Sequence, residues 1–264
     1  VQTKDGVSLK AALASAGGSV ETIESAKKTP GELAAFLEVH IEQGKRLLNQ
    51  SIPIGIVTAI TGIYREEITI VGEANHAGTT LMTERNDALV AASKFVVAFE
   101  EIVCKDPSDE VVGTIGQFAI KPGAPSIIPN EVKLLMEIRG DKVEKITNIR
   151  QQVDAVLNQL ERQQPIQTHR TIILDQAPTD MDETIIDSFK KAAPQEDHYL
   201  LMGSMAGHDA THLASITKAG MLFVPSIGGK SHCPEEYSRI EDIEKVSNVL
   251  LQAIFDLDNI LDKE

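Results

Sequence analysis

The chain is poor in cysteine, in basic residues and in long apolar runs, and each shortage closes off a class of function. Two cysteines, Cys104 and Cys233, among 264 residues cannot build a disulfide framework, which fits a reducing cytoplasm. Lys and Arg number 25 against 39 Asp and Glu, for a formal charge of −14. Nucleic acid and anionic membrane surfaces attract basic patches, so neither is expected as a partner. No apolar run reaches the roughly 20 residues that span a bilayer. The first residues, Val1 to Asp5, carry no secretory signal pattern, and a cytoplasmic protein is expected. The sequence also lacks internal repeats, low-complexity tracts and the short zinc motifs H-E-x-x-H and C-x-x-C.

What is present suits a globular enzyme or binding protein. Hydrophobic residues make up 42% and charged residues 24%, enough for a real core. The length allows one large domain or two modest ones. Residues 7–16 and 20–27 read as short helices separated by Gly17-Gly18, and Thr29-Pro30 reads as a helix cap followed by proline in the first turn. Residues 34–42 fit a helix or a strand. The strand reading is preferred, because it puts Glu38, His40 and Glu42 in a row on one face. Residues 53–60 are β-branched and apolar, a buried strand.

Between residues 64 and 175 the grammar changes to strand, long helix, two strands, long helix, strand. Helices are expected over 85–104 and 142–163, and strands over 65–72, 111–120, 131–139 and 167–174. This order predicts a ferredoxin-like α+β unit. A helix near 182–193, a buried strand at 221–224 and a closing amphipathic helix over 241–261 then resume a different pattern. The expected organisation is an α/β domain in two parts, residues 1–61 and 176–264, interrupted by an α+β unit at 62–175.

Four segments hold residues that suit chemistry. His40-Ile41-Glu42-Gln43-Gly44 places a histidine near a strand end, where ligands of α/β domains gather; a core histidine bonded to Glu38 or Glu42 is the plainer alternative. Asn75-His76-Ala77-Gly78-Thr79-Thr80 surrounds a histidine with small residues, or marks a threonine-capped helix start after Met82. In Met205-Ala206-Gly207-His208-Asp209-Ala210, Asp209 orients His208 or caps the next helix. Ser231-His232-Cys233-Pro234-Glu235-Glu236 follows a glycine-rich turn and sets a histidine beside two carboxylates. Each segment alone is weak evidence, and a structural role is the commoner one for any single histidine.

Together, and joined by Arg85-Asn86-Asp87-Ala88-Leu89, the four segments resemble one family in register. It comprises N-carbamoyl-L-amino-acid hydrolases, allantoate amidohydrolases and β-ureidopropionases, within the wider aminoacylase/carboxypeptidase-type metallopeptidases. The resemblance implies an α/β catalytic domain with two divalent metal ions, zinc or manganese with cobalt and nickel also suitable. It also implies an inserted lid that forms a homodimer. By position, His40 and His232 resemble ligands, one for each metal. Gln43, Arg139, Gly207 and His208 resemble substrate-binding positions, with Arg139 holding a substrate carboxylate through its planar fork. His76 resembles the lid histidine that stabilises the oxyanion in the partner subunit's site.

The chain departs from the family at Leu81, where proline is usual and little depends on it, and in three places that bear on the site. The substrate asparagine thirteen residues before Arg139 is Ser126 here, and Met205 stands where glycine is usual. The family's first metal histidine, bridging aspartate and paired glutamates lie well upstream of the His40 motif, and none of the 39 residues before His40 is histidine. The chain is therefore expected to correspond to the C-terminal two-thirds of such an enzyme and to be inactive by itself. Two alternatives stay open: a non-catalytic dimerising or ligand-binding remnant, and a peptidase or aminoacylase of the wider group.

Overall fold

The computed structural model describes residues 6–106, 110–194 and 198–261. Two sheets, each with its own apolar cluster, organise the α/β chain. Among the described residues no helix is long and apolar enough to cross a membrane.

The first sheet contains β1 (Ala35–Ile41), β2 (Ile54–Ile60), β7 (Thr179–Asp180), β8 (Tyr199–Ser204) and β9 (Lys218–Val224). Its order is β1-β9-β2-β7, with β8 on the other side of β2. The middle strands β2 and β9 are almost wholly buried, which their unbroken apolar runs require. Helices α5 (Glu183–Ala192) and α7 (Ile240–Leu261) cover the sheet. Leu47, Ile54, Ile56, Phe189, Phe223 and Val246 are buried in its core, and each such side chain stabilises the fold by about 1.5–3 kcal/mol.

The second sheet contains β3 (Gly62–Val71), β4 (Val111–Lys121), β5 (Glu131–Gly140) and β6 (Gln167–Gln176). It is antiparallel, in the order β4-β5-β3-β6. Helices α3 (Ala88–Val103) and α4 (Val143–Gln163) pack on it. The apolar positions that set their inward faces are Ala88, Ala91, Ala92, Phe95, Phe99 and Ile102 on α3, and Ile146, Ile149, Val153, Leu157 and Leu160 on α4. His40 and Val71 lie in different sheets.

The chain passes from the first sheet to the second at Thr61-Gly62 and returns at Ala177-Pro178. A Cβ on Gly62 would stand 2.6 Å from Pro178 Cδ and 2.8 Å from the Gln176 carbonyl oxygen. Only glycine lets the outgoing and returning segments lie this close. The Thr61 hydroxyl also donates to the Gly140 carbonyl at 3.2 Å.

The N-terminal third departs most from the expectations. Helix α1 (Leu9–Ser15) forms, capped by Ser8, but buries none of its residues. Residues 20–27 form only one 3-10 turn, Ile23–Ala26. Thr29-Pro30 starts no helix: the Glu32 carboxylate accepts from the Thr29 N–H and hydroxyl, closing a turn where no apolar face follows to stabilise a helix. The helix expected from residue 85 begins at Ala88. Its cap is Asp87, whose Oδ1 accepts from the Leu89 and Val90 N–H groups at 2.9 and 3.1 Å, and neither Thr79 nor Thr80 plays that part.

Candidate active site

The site is built on the parallel pair β1 and β9, which end together at Ile41 and Val224. Loops leaving both strands emerge at the same sheet edge, the usual place for a ligand in an α/β sheet. The alternation of β1 puts Glu38 and His40 on one face. Glu42 follows, buried, with its carboxylate accepting from the Arg46 and Leu47 N–H groups at 2.7 and 3.0 Å. It thereby caps α2 (Arg46–Gln50).

His40 is half-buried and its Nδ1 lies 2.9 Å from the Ile41 carbonyl oxygen. A carbonyl only accepts, so Nδ1 carries the proton and Nε2 keeps a bare lone pair, the form a metal ligand needs. Gln43, at φ 59°, is held in the left-handed region by its surroundings. Its N–H donates to Ser226 Oγ at 3.0 Å and its side-chain amide donates to Ser231 Oγ at 2.7 Å. These two bonds tie the loop after β1 to the loop after β9. His232, at φ 56°, is exposed next to Ser231, and its N–H donates to the Glu236 carboxylate at 3.0 Å. That bond, helped by the Ser231 hydroxyl, holds the Glu236 carboxyl below the usual carboxylate range; His232 and His40 lower it further.

The loop after β8 folds back over the same sheet face. His208 lies in ring contact with His40 and Phe223, its Nε2 is 2.7 Å from Ser204 Oγ, and its Nδ1 is 3.6 Å from Glu38 Oε1. Burial, reinforced by His40, pushes its pKa down to about 4, so the ring is neutral at neutral pH. Glu38 also accepts from the Ala210 N–H at 2.9 Å, which anchors the short helix α6 (Ala210–Leu213). Asp209 precedes this helix without a side-chain capping bond. Gly207 and His208 border a cleft of about 320 Å³ whose other walls include Ile60, Thr61, Ile63 and Gln176. A larger cavity of about 560 Å³ beside Leu47, Pro53, Arg239 and Lys245 contains none of the expected site residues.

Arg139 reaches this region from the second sheet. Its Nη1 donates to the Met205 carbonyl at 3.0 Å and its Nε to Glu137 at 2.7 Å. Arg46 makes a second tie across the sheets, donating to the Gly203 carbonyl and, at 2.5 Å, to Glu110.

His76 and Ser126 sit elsewhere. β3 runs from Gly62, opposite Gly140, to Val71, opposite Glu131, so its ends lie about 30 Å apart. Arg139 is at the near end, while His76 and Ser126 lie beyond the far one. There His76 bridges to Ile127, and the Ala77 N–H donates to the Ser126 carbonyl at 2.9 Å. The loop is braced by Arg85, which donates to the Ala77 and Thr80 carbonyls. His76 is exposed, and its Nδ1 accepts from the Gly78 and Thr79 N–H groups at 3.0 and 3.2 Å. The neutral ring therefore bears its proton on Nε2, a donor turned to solvent.

The structure thus groups His40, Gln43, Gly207, His208 and Arg139 around one end of the first sheet, with His232 on the adjoining loop, and sets His76 and Ser126 apart. Sequence reasoning passed over Ser204, Ser226 and Glu137. Glu137 had a signal, since a residue two before Arg139 in a strand shares its face; the two serines had none. Among the described residues no group of three or more His, Cys, Asp or Glu side chains stands together to hold a metal ion. His40 offers one bare nitrogen and His232 another, so these residues alone do not fit a two-metal centre.

The chain is similar to proteins already described. The chain is 32% identical over 256 residues to an N-carbamoyl-L-amino-acid amidohydrolase of Paenarthrobacter aurescens, covering 97% of this chain and 62% of that protein. It is 34% identical over 257 residues to an allantoate amidohydrolase of Bacillus subtilis, covering 96% and 61%. A hydantoinase/carbamoylase family amidase from Burkholderia multivorans superposes with a TM-score of 0.83 at 29% identity, covering 96% of this chain and 61% of that one. The chain therefore spans about three-fifths of the length of these relatives. The sequence pattern of Peptidase family M20/M25/M40 matches residues 12–256, and the chain belongs to that family.

Proposed function

We propose that this chain serves a metal-dependent amidohydrolase that cleaves the ureido or amide C–N bond of N-carbamoyl amino acids or allantoate-like acids. The observation that carries the reading is the convergence of His40, Gln43, His208 and Arg139 from two sheets and two loops. Arg139, with Nε and Nη1 engaged, keeps its Nη2 edge for a substrate carboxylate. His40 and His232 are each a ligand for one divalent ion, zinc or manganese, and the remaining ligands come from outside residues 1–264. On this reading the isolated chain holds metal weakly and is catalytically silent.

In the same reading, residues 62–175 form an inserted ferredoxin-like lid between two parts of the catalytic domain, 1–61 and 176–264. His76 presents its Nε2–H, and Ser126 its hydroxyl, to the site of a second copy in a cytoplasmic homodimer. The register supports this, since His76 lies beyond the far end of β3 from Arg139. Exposed Val97 on α3 and exposed Phe118 and Ile120 on the edge strand β4 supply apolar surface for the second copy to cover.

Two measurements test the reading. The purified chain, titrated with zinc or manganese, is assayed for ammonia release from N-carbamoyl amino acids and allantoate beside the product of the full reading frame. Robust turnover by the chain alone, or two tightly bound ions per chain, overturns the ligand assignment. No turnover by the full product overturns the activity. Mixing full-length His76→Ala subunits with His40→Ala subunits should restore part of the activity, and no restoration removes the role in trans.

A further inference from the structure

Arg65, Glu137 and Arg139 form a closed charge group on the face of the second sheet that bears no helix. Arg65 and Glu137 are direct partners across β3 and β5, and Arg139 lies two residues further along the same face. Glu137 gives one oxygen to each arginine. Its Oε2 accepts from Arg65 Nε at 2.9 Å and from Arg65 Nη2, and its Oε1 accepts from Arg139 Nε at 2.7 Å. Burial works to raise the Glu137 carboxyl, but the two arginines outweigh it and hold it below the usual range. The group is therefore two cations and one anion, with one positive charge in excess. That excess sits on Arg139, whose Nη2 has no hydrogen bond among the described residues.

We propose that Glu137 fixes the charge count around Arg139, so that the site takes substrates bearing one carboxylate and rejects those bearing two. The inference rests on the reading of Arg139 as the carboxylate-binding residue. One carboxylate at the free edge of Arg139 completes the neutralisation. A second carboxylate on the same substrate has only Arg65 to turn to, and the donor edge of Arg65 is already held by Glu137. It would also approach a fixed anion. Discrimination thus comes from a repulsive element built beside the attractive one. The substrate class this defines is ureido acids whose side chain carries no second carboxylate.

The test uses metal-free protein and two ligands, N-carbamoyl-L-alanine with one carboxylate and N-carbamoyl-L-aspartate with two. Each is titrated calorimetrically at neutral pH into wild type, Glu137→Gln, Glu137→Asp and Arg139→Gln. Wild type should bind the alanine derivative more tightly. Glu137→Gln should shift the ratio of the two Kd values about tenfold toward the aspartate derivative, and Glu137→Asp, which keeps the charge, should retain the wild-type ratio. An unchanged ratio in Glu137→Gln overturns the proposal, as does loss of both ligands from a folded Glu137→Gln, which would make Glu137 a positioning residue instead. Binding of the alanine derivative to Arg139→Gln at wild-type strength, or to wild type not at all, is a different failure: it overturns the reading of Arg139.

Discussion

The His208 ring meets the His40 ring edge to face, with centroids 4.7 Å apart and planes at 71°. The flanking contacts fix its proton. A bare Nδ1 facing the Glu38 carboxylate at 3.6 Å would be repulsive, so the Nδ1–H form is expected, with the single Ser204 proton given to Nε2 at 2.7 Å in preference to the Ala206 carbonyl at 3.2 Å. Ring 15N shifts of the metal-free protein should report the Nδ1–H tautomer for His208. Ser204→Ala should shift the population toward Nε2–H, and Ser204→Thr should restore it. An Nε2–H ring in wild type contradicts the assignment.

Gly62→Ala should destabilise the protein by about 2–3 kcal/mol. The added methyl meets Pro178 Cδ and the Gln176 carbonyl at 2.6–2.8 Å, and both belong to backbone or a rigid ring that cannot turn aside. Chemical denaturation followed by circular dichroism measures it, and a loss under 0.5 kcal/mol would show that the crossing has room to spread.

Asp87→Ala should cost about 1 kcal/mol by removing the two N–H bonds that start α3. Thr79→Ala and Thr80→Ala should cost less, because neither threonine caps that helix. Thermal melts of the three variants rank them, and a larger loss from either threonine reverses the assignment of the cap.

The acid side of the stability profile should depend on Glu137. Its folded pKa lies below the ordinary 4.5, so unfolding takes up a proton on acidification. The stabilisation is present above about pH 4.5 and is lost as the pH falls below that value. The Tm gap between wild type and Glu137→Gln should therefore be widest near pH 7 and shrink toward pH 3. A constant gap would mean that the arginines do not hold the carboxyl in its charged form.

His76→Ala should change stability by less than about 1 kcal/mol, since the ring is exposed and only accepts from two turn N–H groups. A larger loss in urea titration would give His76 a structural part.

The elements with strong periodicity were legible in the sequence. The stripe of Ala88, Ala91, Ala92, Phe95 and Phe99 appears in the structure as written, because one buried face dictates it, and Glu38 and His40 share a face of β1, while Glu42 lies past the end of that strand and caps α2 instead. The weak spots were local. Thr29-Pro30 carries cap chemistry without an apolar face behind it, and β8 was missed because Tyr199–Ser204 is short and mixed. At the site, the motifs marked His40 and His208 but not their contact. That contact depends on the β8 loop folding back across β1, a long-range event that no local spacing encodes. Ser204 and Ser226 were invisible for a related reason: each meets its site partner, His208 or Gln43, only once a loop or a distant segment has folded into place.

Ile60 pairs with Thr179, so the points where the chain leaves and rejoins the first sheet are hydrogen-bonded neighbours. A segment with adjacent ends is topologically a cassette. Residues 61–178 could be cut out and the gap bridged by a tight turn without asking any strand of the first sheet to move, and an unrelated unit with equally close termini could take their place.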